Sequence, residues 1–320
     1  MKLTNLDRAS VIAIKDCMGT KKNEKVLIIS DENKREIGIS LFENSKRLGY
    51  KSFYLEMQPL EYNGQEPPKF IAEAMKLVDV ILCPTTKSLT HTNARREASA
   101  LGKRIATFPG ITKEVMIRGL SADYKEIANL SIKLAKMMDK TNNVKITTSL
   151  GTDITMNIEG RKAIASKGLF HKKGESGNLP TGEAFAAPVE GTTNGVFVSD
   201  GSFAGVGKLK TPIKIVVENG YASEISGGEE AQQLINMLSK FGKNGRNIAE
   251  IGIGTNDKAK ISGILLEDEK VLGTVHIALG NNLSMGGKID VPIHVDGVIL
   301  KPTVYFDNKI IMKNGKLLIS

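Results

Sequence analysis

The pattern of this 320-residue chain changes once, near residue 140, and that change constrains the fold more than any other feature. Before it, short apolar runs alternate with segments of helical period. Val26-Leu27-Ile28-Ile29-Ser30 reads as a buried strand, Glu36 to Leu48 as a helix, and Phe53-Tyr54-Leu55 as a second strand. A helix is expected from about Pro68 to Leu77. Strands follow at Val78 to Cys83, stopped by Pro84, and at Arg104 to Phe108. Ile127, Leu130, Leu134 and Met137 share one face of a closing helix. Such alternation implies a mostly parallel sheet with helices on its faces.

After residue 140, strand candidates follow one another through turn signals. Val144 to Thr148 and Asp153 to Ile158 flank Leu150-Gly151-Thr152, and Ile213 to Val217 and Tyr221 to Ile225 flank Asn219-Gly220. One helix interrupts, about Glu229 to Phe241, with Gly242 as its stop. A second Asn-Gly hairpin lies at Asn314-Gly315. The expectation is a Rossmann-like α/β domain over residues 1–140. A mixed α+β, largely antiparallel domain over 141–320 is expected to carry the chemistry.

Several function classes fall away. Apolar residues make up 41% and charged residues 25%, which suits a globular chain and excludes a disordered one. No apolar run is long enough to span a membrane, and the opening residues lack an apolar signal core, so a cytoplasmic protein is expected. Cys17 and Cys83 are too few and too far apart for a disulfide scaffold or a zinc ribbon. The net charge of +9 invites a nucleic-acid reading, but nearly all of the excess lies in residues 1–150 and is spread over helices and loops. Aromatics at 5% leave few stacking platforms, so no nucleic-acid partner is expected. The turn after the first strand, Ser30-Asp31-Glu32-Asn33-Lys34, lacks the glycines that let a backbone approach a pyrophosphate. The polar segment Thr85 to His91 sits at a strand end, where ligands often bind; a helix cap and turn is the favoured reading.

The chemistry concentrates in the second part. In Gly273-Thr274-Val275-His276-Ile277-Ala278-Leu279-Gly280, Val275, Ile277 and Leu279 face one way and His276, Ala278 and Gly280 the other. The histidine thus shares its face with small residues. Likewise Ile251 and Ile253 oppose Glu250, Gly252 and Gly254, and His294 and Asp296 leave one face together. Two imidazoles and a carboxylate are a divalent-metal donor set, and Glu250 adds a carboxylate that a second ion would need. Glu183 lies in a stretch stiffened by Pro180 and Pro188 and is a further candidate ligand. Taken alone, a strand histidine is most often a hydrogen-bonded core residue.

The runs Asn178-Leu179-Pro180-Thr181-Gly182-Glu183 and Asn247-Ile248-Ala249-Glu250, then Asp268-Glu269-Lys270 with Gly273 to Gly280, and finally His294-Val295-Asp296, resemble the M29 family of metallo-aminopeptidases. That resemblance implies a homodimer that removes N-terminal residues from peptide substrates. It implies metal ligation by Glu183, Glu250, His276, His294 and Asp296, with two zinc, cobalt or manganese ions activating a water. The general base is open, with Glu183 and Glu190 as candidates. One departure stands out: those peptidases carry a tyrosine shortly after the first metal histidine, and Gly280 to Gly287 contains none. The second reading is a ring-cleaving dioxygenase of the dihydroxypyridine type, similar to the same family, with one iron held by His276, His294 and Asp296. The presence of Glu183 and Glu250 favours two metals. A non-catalytic metal-binding relative is the third reading.

Overall fold

The computed structural model describes residues 3–319. The chain divides into two compact units, Met1–Ala128 with Ser166–Thr181, and Asn129–Ala165 with Gly182–Ser320.

The first unit is built on a five-stranded sheet in the order Lys51–Met57, Lys25–Asp31, Val80–Cys83, Arg104–Thr107, Ser176–Asn178, parallel at every pairing. The Val80–Cys83 and Arg104–Thr107 strands are buried along their whole length. Helices cover both faces of such a sheet, so the central strands read as unbroken apolar runs. Helices Arg35–Arg47, Lys69–Lys76 and Asn93–Ala100 make the crossovers. The last of these is capped by Thr92, whose hydroxyl accepts from the Arg95 amide. The last strand of the sheet comes from the returning segment, far along the chain from the other four.

The second unit packs two sheets against one core. The eight-stranded sheet runs in the order Tyr221–Ser226, Ile213–Glu218, Asn194–Ser199, Asp153–Asn157, Asn143–Thr147, Thr303–Phe306, Lys309–Lys313, Lys316–Leu317. The seven-stranded sheet runs Gly207–Lys208, Ser202–Phe203, His294–Ile299, Val275–Gly280, Ile248–Gly254, Glu183–Ala186, Ile164–Ser166. Ile146, Ile154, Phe197 and Ile215 of the first sheet meet Ile251, Ile253, Val275, Ile277, Leu279 and Ile299 of the second in one apolar cluster. Each such side chain, fully buried, contributes about 1.5–3 kcal/mol. The Asn219-Gly220 turn has φ of 51° and 80°, and Asn314-Gly315 has 48° and 79°, the left-handed pair a tight hairpin needs. The expected helix at Glu229 ends at Ser239, two residues before Phe241. Among the described residues no helix is long and apolar enough to cross a membrane.

Candidate metal centre

Alternation along the seven-stranded sheet sends its aliphatic residues into the core, and everything polar then has to leave by the opposite face. Register brings those polar residues together. Ala278 pairs with Glu250 on one side and Asp296 on the other, Gly252 pairs with His276, and Gly280 with His294. Glu183 opens the Glu183–Ala186 strand opposite Gly254. It is therefore a strand residue and not, as expected, part of a proline-stiffened loop: Pro180 and Pro188 bracket the strand. All five residues expected as ligands lie within the second unit.

The small residues on this face are a steric requirement. A Cβ on Gly252 would stand 2.0 Å from His276 Nε2 and 2.2 Å from its Cε1, so the imidazole lies across the bare glycine backbone. This cradle points Nε2 at the carboxylates. Nε2 of His276 is 3.1 Å from Glu250 Oε1 and 3.5 Å from Glu183 Oε2. Nε2 of His294 is 3.2 Å from Glu250 Oε2 and 3.5 Å from Asp296 Oδ1. On its other edge His294 uses Nδ1, 2.8 Å from the Asn281 carbonyl oxygen. A backbone carbonyl on Nδ1 fixes the ring and turns Nε2 inward, as metal-binding histidines require. His276 is fully buried, whereas the side chain of His294 is 33% exposed, so the cluster opens to solvent beside His294.

A fourth carboxylate and a lysine complete the cluster, and neither was expected. Lys270 is buried, with Nζ 2.6 Å from Glu183 Oε1 and in close contact with Glu269 Oε1. Two groups of three potential metal donors result, Glu250–His276–Asp296 and Glu183–Glu269–His276, sharing one histidine. The ammonium of Lys270 already engages both carboxylates of the second group. Glu267-Asp268-Glu269-Lys270 is a run of four charged residues. In the structure each member has its own task. Asp268 accepts from the Ser262 and Gly263 amides at 2.6 and 2.8 Å, and Glu267 from the Lys260 amide at 3.1 Å.

The electrostatics follow from packing opposite charges without water. Burial disfavours a charged imidazole at His276, but the hydrogen bond to Glu250 and the charges of Glu183, Glu250 and Asp296 outweigh it and raise the pKa to about 9. Burial likewise opposes charge at His294, and Asp296 and Glu250 push its pKa well above the ordinary histidine value. Burial would raise Glu250; hydrogen bonds and charge from the two histidines hold it well below the carboxylate range. Glu269 goes the other way, raised by burial to about 7 against the pull of Lys270.

The remaining sequence candidates lie elsewhere. Glu190 is paired with Arg161 and accepts from Asn282 Nδ2 at 2.9 Å and the Lys288 amide at 2.7 Å, so it is committed to a structural network. His171 Nε2 is 2.8 Å from the Asp16 carbonyl oxygen. The Thr85 to His91 segment is tied up internally and to its neighbours: Thr85 donates to the Lys87 carbonyl at 2.6 Å, Thr86 to Asp31 at 2.9 Å, and Thr90 bonds Thr107 at 2.8 Å. The segment is a hydrogen-bonded turn, and the helix after it is capped by Thr92, just beyond it.

A sequence model of the NicX family, 2,5-dihydroxypyridine 5,6-dioxygenase, matches residues 13–319. This chain belongs to the NicX family. It is 23% identical over 262 residues to the 2,5-dihydroxypyridine 5,6-dioxygenase of Pseudomonas putida KT2440, covering 76% of this chain and 71% of that protein. The solved structure of 2,5-dihydroxypyridine dioxygenase from Pseudomonas putida KT2440 superposes with a TM-score of 0.84 at 18% identity, over 100% of this chain and 99% of that one. Wild-type AmpT from Thermus thermophilus superposes with a TM-score of 0.72 at 19% identity, over 98% and 99%. Identities this low establish a shared fold and nothing more.

The NicX match overturns the expected metallo-aminopeptidase, and with it the hydrolase class. The fold is M29-like, as the AmpT superposition shows, but the family is NicX. The reason lies in what the glutamates do. Glu183 and Glu250 favour a pair of metals only if two dications are what balances their charge. The structure gives Glu183 a different counter-ion, the Lys270 ammonium.

Proposed function

We propose that this protein is a metal-dependent ring-cleaving dioxygenase acting on a dihydroxylated pyridine. The observation that carries the reading is the NicX match across residues 13–319. The donor set supports it. Two inward-facing imidazole nitrogens and two carboxylates, those of Glu250, His276, His294 and Asp296, suit a first-row divalent metal with positions left open. The Gly252 cradle and the Asn281 carbonyl hold the two rings in ligating orientation. Iron(II) is the ion we assign, and one of it.

When bound, iron supplies the one-electron chemistry that a spin-paired ring and ground-state dioxygen cannot manage between them. The chain's own groups do the rest. Aliphatic side chains behind the sheet keep water from the rear of the centre, and the gap beside His294 is the approach for ring and oxygen. Glu269, a largely buried carboxylate beside Lys270 and His276, is the group we assign to take up a proton released by a ring hydroxyl on binding. Cleavage of one ring carbon–carbon bond, with both atoms of dioxygen entering the product, balances without an external reductant.

The test is oxygen uptake by anaerobically iron-loaded protein given 2,5-dihydroxypyridine. Stoichiometric uptake with loss of the aromatic absorbance is expected. A fully iron-loaded, folded protein that consumes no oxygen with this ring refutes the reading.

A further inference from the structure

We propose that Lys270 keeps this centre mononuclear, its ammonium standing where a second divalent ion would otherwise bind. The inference rests on reading the cluster as a metal centre. It goes further in assigning the ion count to one side chain.

Two triads of donors meet at His276, and within each the ligating atoms lie within 4.8 Å of one another. By donor type both are competent: each offers one imidazole and two carboxylates. Geometry separates them. Among the described residues no lysine or arginine pairs with Glu250 or Asp296; their partners are the two imidazoles, which give up their protons to bind a metal. In Glu183–Glu269–His276, both carboxylates already hold Lys270 Nζ. Lys270 takes one oxygen of each, while Glu183 Oε2 faces His276 at 3.5 Å; a metal ion bound through the remaining oxygens at roughly 2.0–2.2 Å would stand against the ammonium, like charge beside like charge.

The lysine is not free to step aside. Its side chain is 4% exposed, its amide donates to the Glu267 carbonyl at 2.9 Å, and its carbonyl accepts from the Asn256 amide at 2.8 Å. Backbone anchored on both sides and a buried stem leave Nζ one place to be. The charge count agrees. Glu183, Glu250, Glu269 and Asp296 are four carboxylates in one buried cluster, a complement that two dications would neutralise. Lysine takes over part of that task for the Glu183–Glu269 half. Without it, two adjacent carboxylates would share a buried site with no counter-ion, which is strongly unfavourable. A divalent ion is the natural replacement.

The test is metal stoichiometry in the full-length protein, read by elemental analysis and by the electron paramagnetic resonance of Mn2+. Wild type should bind one Mn2+ per chain with an isolated-ion spectrum. Lys270→Met, which keeps the stem and drops the charge, should bind two, with the spectrum of an exchange-coupled pair. Lys270→Arg should return to one. A folded Lys270→Met protein that still binds one ion overturns the inference, as does a wild type that binds two. Where Lys270→Met folds poorly, added Mn2+ should restore it together with the second ion, and Lys270→Gln should behave the same way. Failure of Mn2+ to rescue either variant counts against the proposal. A wild type that binds no divalent ion at all defeats the metal-centre reading itself, a result distinct from all of these.

Discussion

The most exacting test of the site uses a residue that touches no metal. In Gly252→Ala the new Cβ would lie 2.0 Å from His276 Nε2, 2.2 Å from Cε1 and 2.8 Å from Cδ2. Unstrained contact between such atoms needs roughly 3.5 Å, so the ring must retreat by about 1.5 Å. It has little room for this, because His276 is fully buried and its strand is paired on both sides. Metal–ligand distances tolerate errors of only about 0.2 Å. Outer-shell substitutions that leave the ligand in place typically lower metal affinity 10–100-fold, about 1.4–2.7 kcal/mol. A displaced ligand should lie at or beyond the upper end, so a loss of at least roughly 100-fold is expected. Chelator competition with Fe2+ or Mn2+ measures it. Thermal unfolding of the metal-free variant, measured in parallel, should show an overpacking cost of roughly 1–3 kcal/mol. A folded Gly252→Ala protein with wild-type metal affinity would show that the His276 ring, as placed here, is not a ligand.

Other consequences are open to simpler measurements. In the metal-free protein His276 is protonated up to about pH 9, so uptake of metal at pH 7 should expel at least one proton, and apparent affinity should climb as pH rises towards 9; buffer-independent binding enthalpies would contradict this. The same raised pKa means that metal-free protein gains stability from charged His276 below about pH 6.5 and loses it as pH rises through about 9, which unfolding midpoints across that window should reveal as a decline. Cys17 and Cys83 are fully buried, and burial pushes the Cys83 thiol up to about 12 and Cys17 higher than its ordinary value; neither should react with a disulfide reagent at pH 8 until the protein is unfolded, and rapid native labelling would be the contrary result. Gly220→Ala places a Cβ 2.6 Å from the Gly191 amide nitrogen at a φ of +80°, and should cost more than about 1 kcal/mol in denaturant titration; a neutral outcome would mean the hairpin relaxes freely.

Local periodicity made much of this molecule legible. The apolar runs at residues 26–30 and 80–83 are central strands of a parallel sheet because a two-sided burial demands continuous aliphatics. The alternation around Glu250 and His276 discloses which side chains share a face, and the strand register agrees. Long-range placement was not legible. Nothing local marks Ser176–Asn178 as the edge strand of the first sheet, since its three residues have no apolar period and its partner lies seventy residues back at Arg104–Thr107. Glu269 and Lys270 belong to a run that carries the family resemblance, but no local period says that they meet the other donors; tertiary packing takes them there.

That placement explains how these residues support the expectation of a two-metal hydrolase in a chain of the NicX family. Histidine and carboxylate at Glu250, His276, His294 and Asp296 serve hydrolytic and oxidative centres alike, because both bind the same class of divalent ion. A count of glutamates favours a metal pair only if every glutamate is short of a counter-ion. Glu183 is not, and the cation that satisfies it, Lys270, comes from a distant segment whose contact with it the sequence does not disclose. On this reasoning the inward-facing ligands set which ions a site of this shape will accept. The groups standing beside them set how many, and with that which reaction the site supports. Relatives on this fold that lack a buried ammonium between the two carboxylates should therefore load a second ion, whatever their identity to this chain, and metal analysis of such a relative would decide whether the rule holds beyond Lys270.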